Sequence, residues 1–355
     1  MQIDIPLIDA HLNNYSIFAL GLVFTPMFYF FAPSVWKFLF GSGGVIQESI
    51  YLMFPSLSVP YTHLAGKIAN IQLPVFIRSF IYSIYIWYHG INMKEAANED
   101  LKSYKSLQAL FTRPLKPGMR PIDDCTLVSP VDGVVIEFGE ISDDRKIQQI
   151  KSHTYEFEEF LGPIDPKHKA NNKLYEVVIY LRATDYHCYH SPTKWETHTK
   201  VEHAGHILPF KLHKFIPQWF SINARVALIG KWKYGFFSMT PVAATTVGDI
   251  HINPEFERTP PKKLESKHDH YAKYTMYEQV LSYKPGDKVG HFEAGSECVL
   301  IFEAPPHLKF DVKKGQLIHY GNRLLSVDPE SPDDSEMIVS SKFDDFNPYR
   351  ALDAE

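Results

Sequence analysis

Cysteine is scarce in this chain: only Cys125, Cys188 and Cys298 occur in 355 residues. They are too few and too scattered for a disulfide framework or a zinc knuckle, and read as reduced, unpaired thiols. Charge of one sign is scarce too. A net charge of −5 supplies no basic field, so nucleic acid is not expected as a partner. No internal repeat stands out. No Lys or Arg precedes Lys37, whereas Asp4 and Asp9 do, so an Arg-rich mitochondrial presequence is missing. Hydrophobic and charged contents of 45% and 22% are ordinary for a folded chain with a real core. Its length suits two domains, or one large domain with appendages. Aromatics are plentiful, with 25 Phe and 20 Tyr, and much of this content in the first ninety residues hints at a membrane interface.

Residues 16–36 (SIFALGLVFTPMFYFFAPSVW) contain no charge and are about as long as a membrane-crossing helix. Pro26 and Pro33 could kink that helix, and Trp36 with Lys37 suits an interfacial end. The run is too long for a secretory signal and lacks a basic flank before it. Residues 1–40 are therefore read as a membrane-anchoring segment and 41–119 as a helical membrane-proximal region. Within the latter, PVFIRSFIYSIYIW (74–87) fits either a buried helix or one lying in the membrane interface. Met93, Ala96, Ala97, Leu101, Tyr104, Leu107 and Phe111 recur at helical spacing. With Asn92 and Glu95 as a capping box and Pro114 as a stop, they predict one amphipathic helix.

Beyond residue 120 short apolar or alternating runs predict strands: LYEVVIYLRA, ARVALIGKW, YGFFSMTPVAAT, SECVLIFEA and HLKFDVKKGQLIHYG. The fold class is α+β, mainly β, with a catalytic domain over 120–327. Residues 254–276 read as an excursion loop and 328–355 as an acidic, flexible tail.

Three segments carry chemistry. Gly295–Ser296 ends a charged turn and opens a strand, and glycine lets a side chain approach its carbonyl closely. A serine hydroxyl needs a base before it attacks. DYHCYHSP supplies His187 and His190, and strand alternation alone puts them on opposite faces. A turn or bulge near Pro192 would have to bring both to one pocket. They could equally be surface histidines; no third ligand has metal-site spacing, so no metal is expected. SPVDGVV places Asp132 in an Asp-Gly pair, either a plain β-turn or an acid that orients a histidine.

The combination resembles the phosphatidylserine decarboxylases of the eukaryotic mitochondrial type. The resemblance runs from about residue 70 to 327. It rests on YSIYIW, GINMKEAANEDL, RPLKPGMRP, SPVDG, FLGP, YLRATDYHCYHSPTKW, GKWKYGFFSMTPVAATTVGDI and VLIFEAP. It implies an antiparallel β-sandwich or barrel-like catalytic domain, preceded by N-terminal membrane-associated helices. It also implies that Asp132, His190 and Ser296 form a charge relay that cuts the chain at 295/296. The ester formed at Gly295 then undergoes β-elimination, and position 296 ends as a covalent pyruvoyl group (pyruvate) with loss of ammonia. That cofactor would hold phosphatidylserine as a Schiff base and release carbon dioxide and phosphatidylethanolamine. The resemblance gives His187 a part in decarboxylation or proton return and sets Thr245 and Thr246 near the substrate. Partners would be phosphatidylserine, membrane lipid and the two cleavage fragments held as a heterodimer, with a homodimer of these. The compartment implied is the mitochondrial inner membrane.

The cut site departs from the family's usual Leu-Gly-Ser-Thr: here it reads Ala294-Gly295-Ser296-Glu297. Glu297 would point away from Ser296 in a strand. It motivates a second reading, a non-processing member acting as a membrane lipid-binding or scaffold protein. A third is a membrane-anchored serine hydrolase that keeps Ser296 as its nucleophile.

Overall fold

β-Branched and aromatic runs separated by Gly, Pro and Asp turns dominate the second half of the chain, and they fold as strands. The computed structural model describes residues 58–327 apart from 142–145, 150–152, 163–171, 183, 211–218, 245–249, 254–261, 266–271 and 293–295. Strands β1 (Leu127–Val128) to β5 are followed by two histidine-bearing elements: β2 is Gly133–Glu140, β3 Lys146–Gln149, β4 His153–Glu156 and β5 Lys173–Tyr180. Next come β6 (Cys188–His190), β7 (Trp195–His203), β8 (Arg225–Trp232), β9 (Gly235–Ala243) and β10 (Ile250–Ile252). The series ends with β11 (Lys262–Glu265), β12 (Ala272–Tyr283), β13 (Lys288–Phe292), β14 (Ser296–Ala304), β15 (Leu308–Phe310), β16 (Leu317–Ile318) and β17 (Arg323–Val327). The helices are few: α1 (Ser58–Ala69), α2 (Val75–His89), α3 (Leu107–Phe111), α4 (Phe157–Leu161) and α5 (Trp219–Ile222). The described chain is thus mainly β with antiparallel sheets, as expected.

One nine-stranded sheet runs β11-β12-β7-β8-β9-β14-β5-β2-β16, and two three-stranded sheets run β1-β17-β15 and β10-β13-β6. A single apolar core joins them. Val177, Ile179, Phe237, Met239, Cys298, Leu300 and Phe302 from the large sheet meet Tyr189, Val289 and Phe292 of one small sheet and Leu127, Leu324 and Leu325 of the other. Each such side chain, fully buried, contributes roughly 1.5–3 kcal/mol. β14 is central, antiparallel to β9 from Ser296↔Ala243 and to β5 from Glu297↔Tyr180. Its two faces are both buried, Cys298 and Leu300 on one and Glu297 and Val299 on the other.

Four expectations are resolved or revised. Residues 74–87 form most of α2, begun at Pro74 and ended by Gly90 in the left-handed region with φ 68. The fully buried alternative fails, because only Tyr82 and Tyr85 are buried while Phe76, Phe80 and Trp87 are 84%, 71% and 76% exposed. The single helix over 92–111 is replaced by two 3₁₀ turns, Met93–Glu95 and Leu101–Ser103, and then α3. The capping box exists, with Asn92 accepting from Lys94 N and donating to Glu95, yet it serves one turn only. Asn98, Asp100 and Ser106 each bind local backbone N–H groups and restart the chain, as short polar side chains do in competition with a helix. The helical spacing of Ala96, Tyr104 and Phe111 is a coincidence of buried residues from separate pieces.

The excursion loop at 254–276 contains β11 and the start of β12, which extend the large sheet at its edge beside β7. HLKFDVKKGQLIHYG divides into β15 and β16, which belong to different sheets. Residues 16–36 lie outside the described residues. Among the described residues no helix is long and apolar enough to cross a membrane.

Candidate active site

The site is built from the turn before β2, the histidines in and just before β6, and α3, which reaches Phe292 of β13 through Gln108 and His187 through Phe111. Asp132 occupies the turn between β1 and β2 and is buried. The glycine after it has a steric cause: a Cβ at Gly133 would lie 2.3 Å from the Tyr180 carbonyl oxygen of β5. Arg120 Nε donates to both Asp132 oxygens at 3.1 Å and Nη2 to Oδ2 at 2.6 Å. Tyr320 N–H donates to Oδ1 at 2.8 Å, and His319 Nδ1 lies 3.1 Å from Oδ2. Burial alone would raise the carboxyl's pKa, but these donors outweigh it and hold the group below the ordinary carboxylate range. Arg120 also binds Glu95 at 2.6 Å. One arginine therefore clamps two carboxylates.

His190 does not bind Asp132. Its Nδ1–H donates to the Gly286 carbonyl at 2.9 Å, which leaves the Nε2 lone pair facing the Tyr186 hydroxyl at 3.4 Å. Its ring stacks on Tyr320, with centroids 4.0 Å apart and planes 5° from parallel. Asp132 thus reaches His190 through Tyr320 and through its charge, which favours the imidazolium; burial is the larger effect and lowers the His190 pKa to about 4. A cavity of about 310 Å³ opens beside this pair, walled by Tyr186, Tyr320, Lys116, Arg120 and Lys288.

His187 precedes β6 and has other surroundings. Its Nδ1–H donates to the Asp185 carbonyl at 2.7 Å, while Nε2 is buried without a hydrogen-bond partner. Phe111 of α3 meets the ring edge-on at 5.1 Å. Burial, helped by the nearby Arg113 charge, lowers the His187 pKa to about 4. Both imidazoles are therefore neutral bases near neutral pH. The β6–β13 register slips between Lys288 and Gly290, but the extra residue falls in β13 and not in the histidine segment, and among the described residues no contact joins the two rings.

Position matters here. The His187 carbonyl accepts from Phe292 N at 2.9 Å, and Phe292 lies four residues before Ser296. Four residues span at most about 14 Å. His190 pairs with Lys288, farther back along the chain. Gly295 lies outside the described residues. Ser296 is the first residue of β14, with Ala243 opposite. Glu297, next in line, is fully buried on the other face, beside Tyr180 and Val242 in register. Among the described residues neither of its oxygens has a partner from another residue, and burial raises its pKa well above the ordinary value. Thr245 and Thr246 lie outside the described residues.

Two residues of α3 and its exit escaped the reading of the sequence. Gln108 Nε2 donates to the Phe292 carbonyl at 3.3 Å, and its buried Oε1 has no partner. Arg113 is 3% exposed, and among the described residues its only hydrogen bond is a long one, 3.4 Å, to the Leu110 carbonyl; Nε has none there. The one signal in the sequence was a cation in the otherwise apolar run LFTRPL.

Comparison with known proteins bears on the same elements. The profile of the family described as phosphatidylserine decarboxylase matches residues 107–326, from α3 to β17. A Caenorhabditis elegans protein named "Phosphatidylserine decarboxylase proenzyme, mitochondrial" is 38% identical over 276 residues, covering 76% of this chain and 72% of its own. The Pongo abelii protein of that name is 36% identical over 287 residues, covering 74% and 70%. "Phosphatidylserine decarboxylase proenzyme 1, mitochondrial" of Saccharomyces cerevisiae is 30% identical, covering 74% and 71%. The chain belongs to the phosphatidylserine decarboxylase family.

Proposed function

We propose that this chain is a mitochondrial phosphatidylserine decarboxylase that cleaves itself between Gly295 and Ser296. The observation that carries this reading is the place of the bond. Ser296 opens β14, starting the ladder to β9, with the ladder to β5 starting at Glu297, and it follows by four residues Phe292, whose N–H binds the carbonyl of His187. Cutting there breaks no ladder. The fragment after 295 keeps β14 at the centre of the large sheet, β16 beside β2 and β17 beside β1, which supports a stable pair of fragments. The sandwich-like arrangement and a homodimer of such pairs follow from the family resemblance.

In this reading His190 takes the Ser296 proton as the serine oxygen attacks the Gly295 carbonyl, and gives it to the Ser296 nitrogen as the peptide C–N bond breaks and an ester is left. Asp132 stabilises the imidazolium through its charge and keeps Tyr320 against the ring. β-Elimination then separates the Gly295 carboxylate from an unsaturated residue at 296, which water converts to a pyruvoyl group and ammonia. The orphaned His187 Nε2 and Gln108 Oε1 fit such a group and its substrate, since both are polar atoms without partners near the same strand end. A pyruvoyl group at 296 would supply a carbonyl for the substrate amine and a sink for the electrons left when carbon dioxide departs. His187 Nε2 would take the proton released by the substrate's ammonium group and deliver it to the carbon that carbon dioxide leaves. Thr245 and Thr246 remain assigned to the substrate by resemblance alone.

Substrate would arrive from a lipid surface. Phe76, Phe80, Ile84 and Trp87 form an exposed stripe along α2, while Tyr85 on the opposite side packs on Phe111, which packs on His187. The experiment is release of labelled carbon dioxide from carboxyl-labelled phosphatidylserine in vesicles. Activity in the unaltered protein and none in Ser296→Ala is expected. Activity that survives Ser296→Ala overturns the proposal.

A further inference from the structure

Arg113 presents an imbalance of charge. It follows α3, is held extended by the proline after it, and is buried. The carboxylates within electrostatic reach are Glu95 and Asp132, and Arg120 holds each of them at 2.6 Å. His319 leans on Asp132 as well. Among the described residues no carboxylate is left to neutralise Arg113, whose one hydrogen bond there is the 3.4 Å contact to Leu110. A buried guanidinium without a counterion is costly, and its planar fork suits a phosphate.

We propose that Arg113 binds the phosphodiester of the lipid substrate and so sets the depth at which the headgroup's serine meets position 296. This deepens the decarboxylase reading and rests on it. Two further observations favour the phosphodiester over the substrate's carboxylate. The first is connection. Arg113 lies within electrostatic reach of Tyr104, whose carbonyl accepts from Tyr82 of α2, and of His187. It is thus linked both to the helix that carries the apolar stripe and to His187, as the phosphate of a phospholipid is linked to both acyl chains and serine.

The second is energetic. A carboxylate loses its charge as it leaves, so a cation on it would stabilise the ground state more than the transition state and slow the reaction. The phosphodiester keeps its charge throughout. A cation there binds ground state and transition state alike, and it also keeps His187 neutral.

The test uses the full chain, processed, with soluble glycerophosphoethanolamine, which carries the phosphodiester but no carboxylate. Arg113→Gln is expected to yield fragments of unchanged mass, to bind this probe at least ten-fold more weakly, and to raise KM for phosphatidylserine far more than it lowers kcat. Arg113→Lys should fall between. Unchanged probe binding in a processed variant overturns the proposal, as does a loss seen only with glycerophosphoserine, which would assign Arg113 to the carboxylate. If the variants do not process, a structure of the unaltered protein with the probe decides: phosphate oxygens within hydrogen-bond reach of Arg113 support the proposal, and phosphate elsewhere overturns it. Failure of the unaltered chain to process would overturn the decarboxylase reading instead, and the probe's binding would still report on Arg113.

Discussion

His190 lies flat on Tyr320 at 4.0 Å, and the backbone N–H of the same tyrosine donates to Asp132 at 2.8 Å. The carboxylate and the imidazole proposed as acid and base are linked through an aromatic residue in place of a direct hydrogen bond. Tyr320→Ala should therefore slow self-cleavage by up to about 10²-fold, the cost of a misplaced catalytic group. Tyr320→Phe, which keeps the ring, should cleave at nearly the normal rate. The disappearance of intact chain with time measures both; equal rates in the two variants would remove Tyr320 from the coupling.

The clamp of Arg120 on Asp132 and Glu95 is nearly dry, with side-chain exposures of 5%, 3% and 20%. Arg120→Gln leaves a buried carboxylate without its cation and should cost roughly 3–5 kcal/mol in denaturant unfolding. Asp132 has a folded pKa below its unfolded value, so the clamp's contribution is present above the unfolded pKa and is lost as pH falls through the folded one. The difference between variant and parent should shrink in acid.

His187 and His190 both titrate near 4 when folded, against 6.5 for a free imidazole. The unfolded chain binds more protons between these values, so stability should drop as pH falls from 6.5 towards 4, by roughly 1–3 kcal/mol per ring. Above 6.5 the slope from these groups should vanish. Their chemistry should separate: His190→Ala blocks cleavage, whereas His187→Ala cleaves and loses about 10²–10⁴-fold in decarboxylation. Fragment analysis beside a carbon dioxide assay distinguishes them, and the reverse pattern would exchange the two roles.

Glu297 is a carboxyl with no partner among the described residues, buried on the face away from the cysteine at 298. Its folded pKa is raised, so ionisation opposes folding: its stability is intact below the unfolded pKa and declines as pH rises through the folded value. Glu297→Gln should stabilise the protein at neutral pH and make little difference near pH 4. A stability gain that does not depend on pH would contradict this account.

Much of this was legible in the residues. Apolar runs such as YEVVIY and CVLIF announced β5 and β14 because burial on both faces leaves an uninterrupted apolar signal. β7 escaped because WETHTKVEH is mostly polar: Thr197 and Thr199 are buried through backbone hydrogen bonds and sheet pairing that no hydropathy pattern encodes. The turn at Asp132 was visible, whereas its partners Arg120 and His319 come together only through the fold. Arg113 was missed because a buried cation is recognised by what surrounds it, and its nearest carboxylates lie 18 and 19 residues away in sequence, already bound to Arg120.

The central claim is that position 296 ceases to be a serine. Intact mass measurement of the purified full-length chain tests it most directly. The account predicts two species, residues 1–295 and residues 296–355, the smaller blocked at its amino terminus and lighter by the exchange of a serine for a pyruvoyl group. A single uncut chain in a preparation that decarboxylates phosphatidylserine, or a small fragment that begins with an ordinary serine, would contradict it.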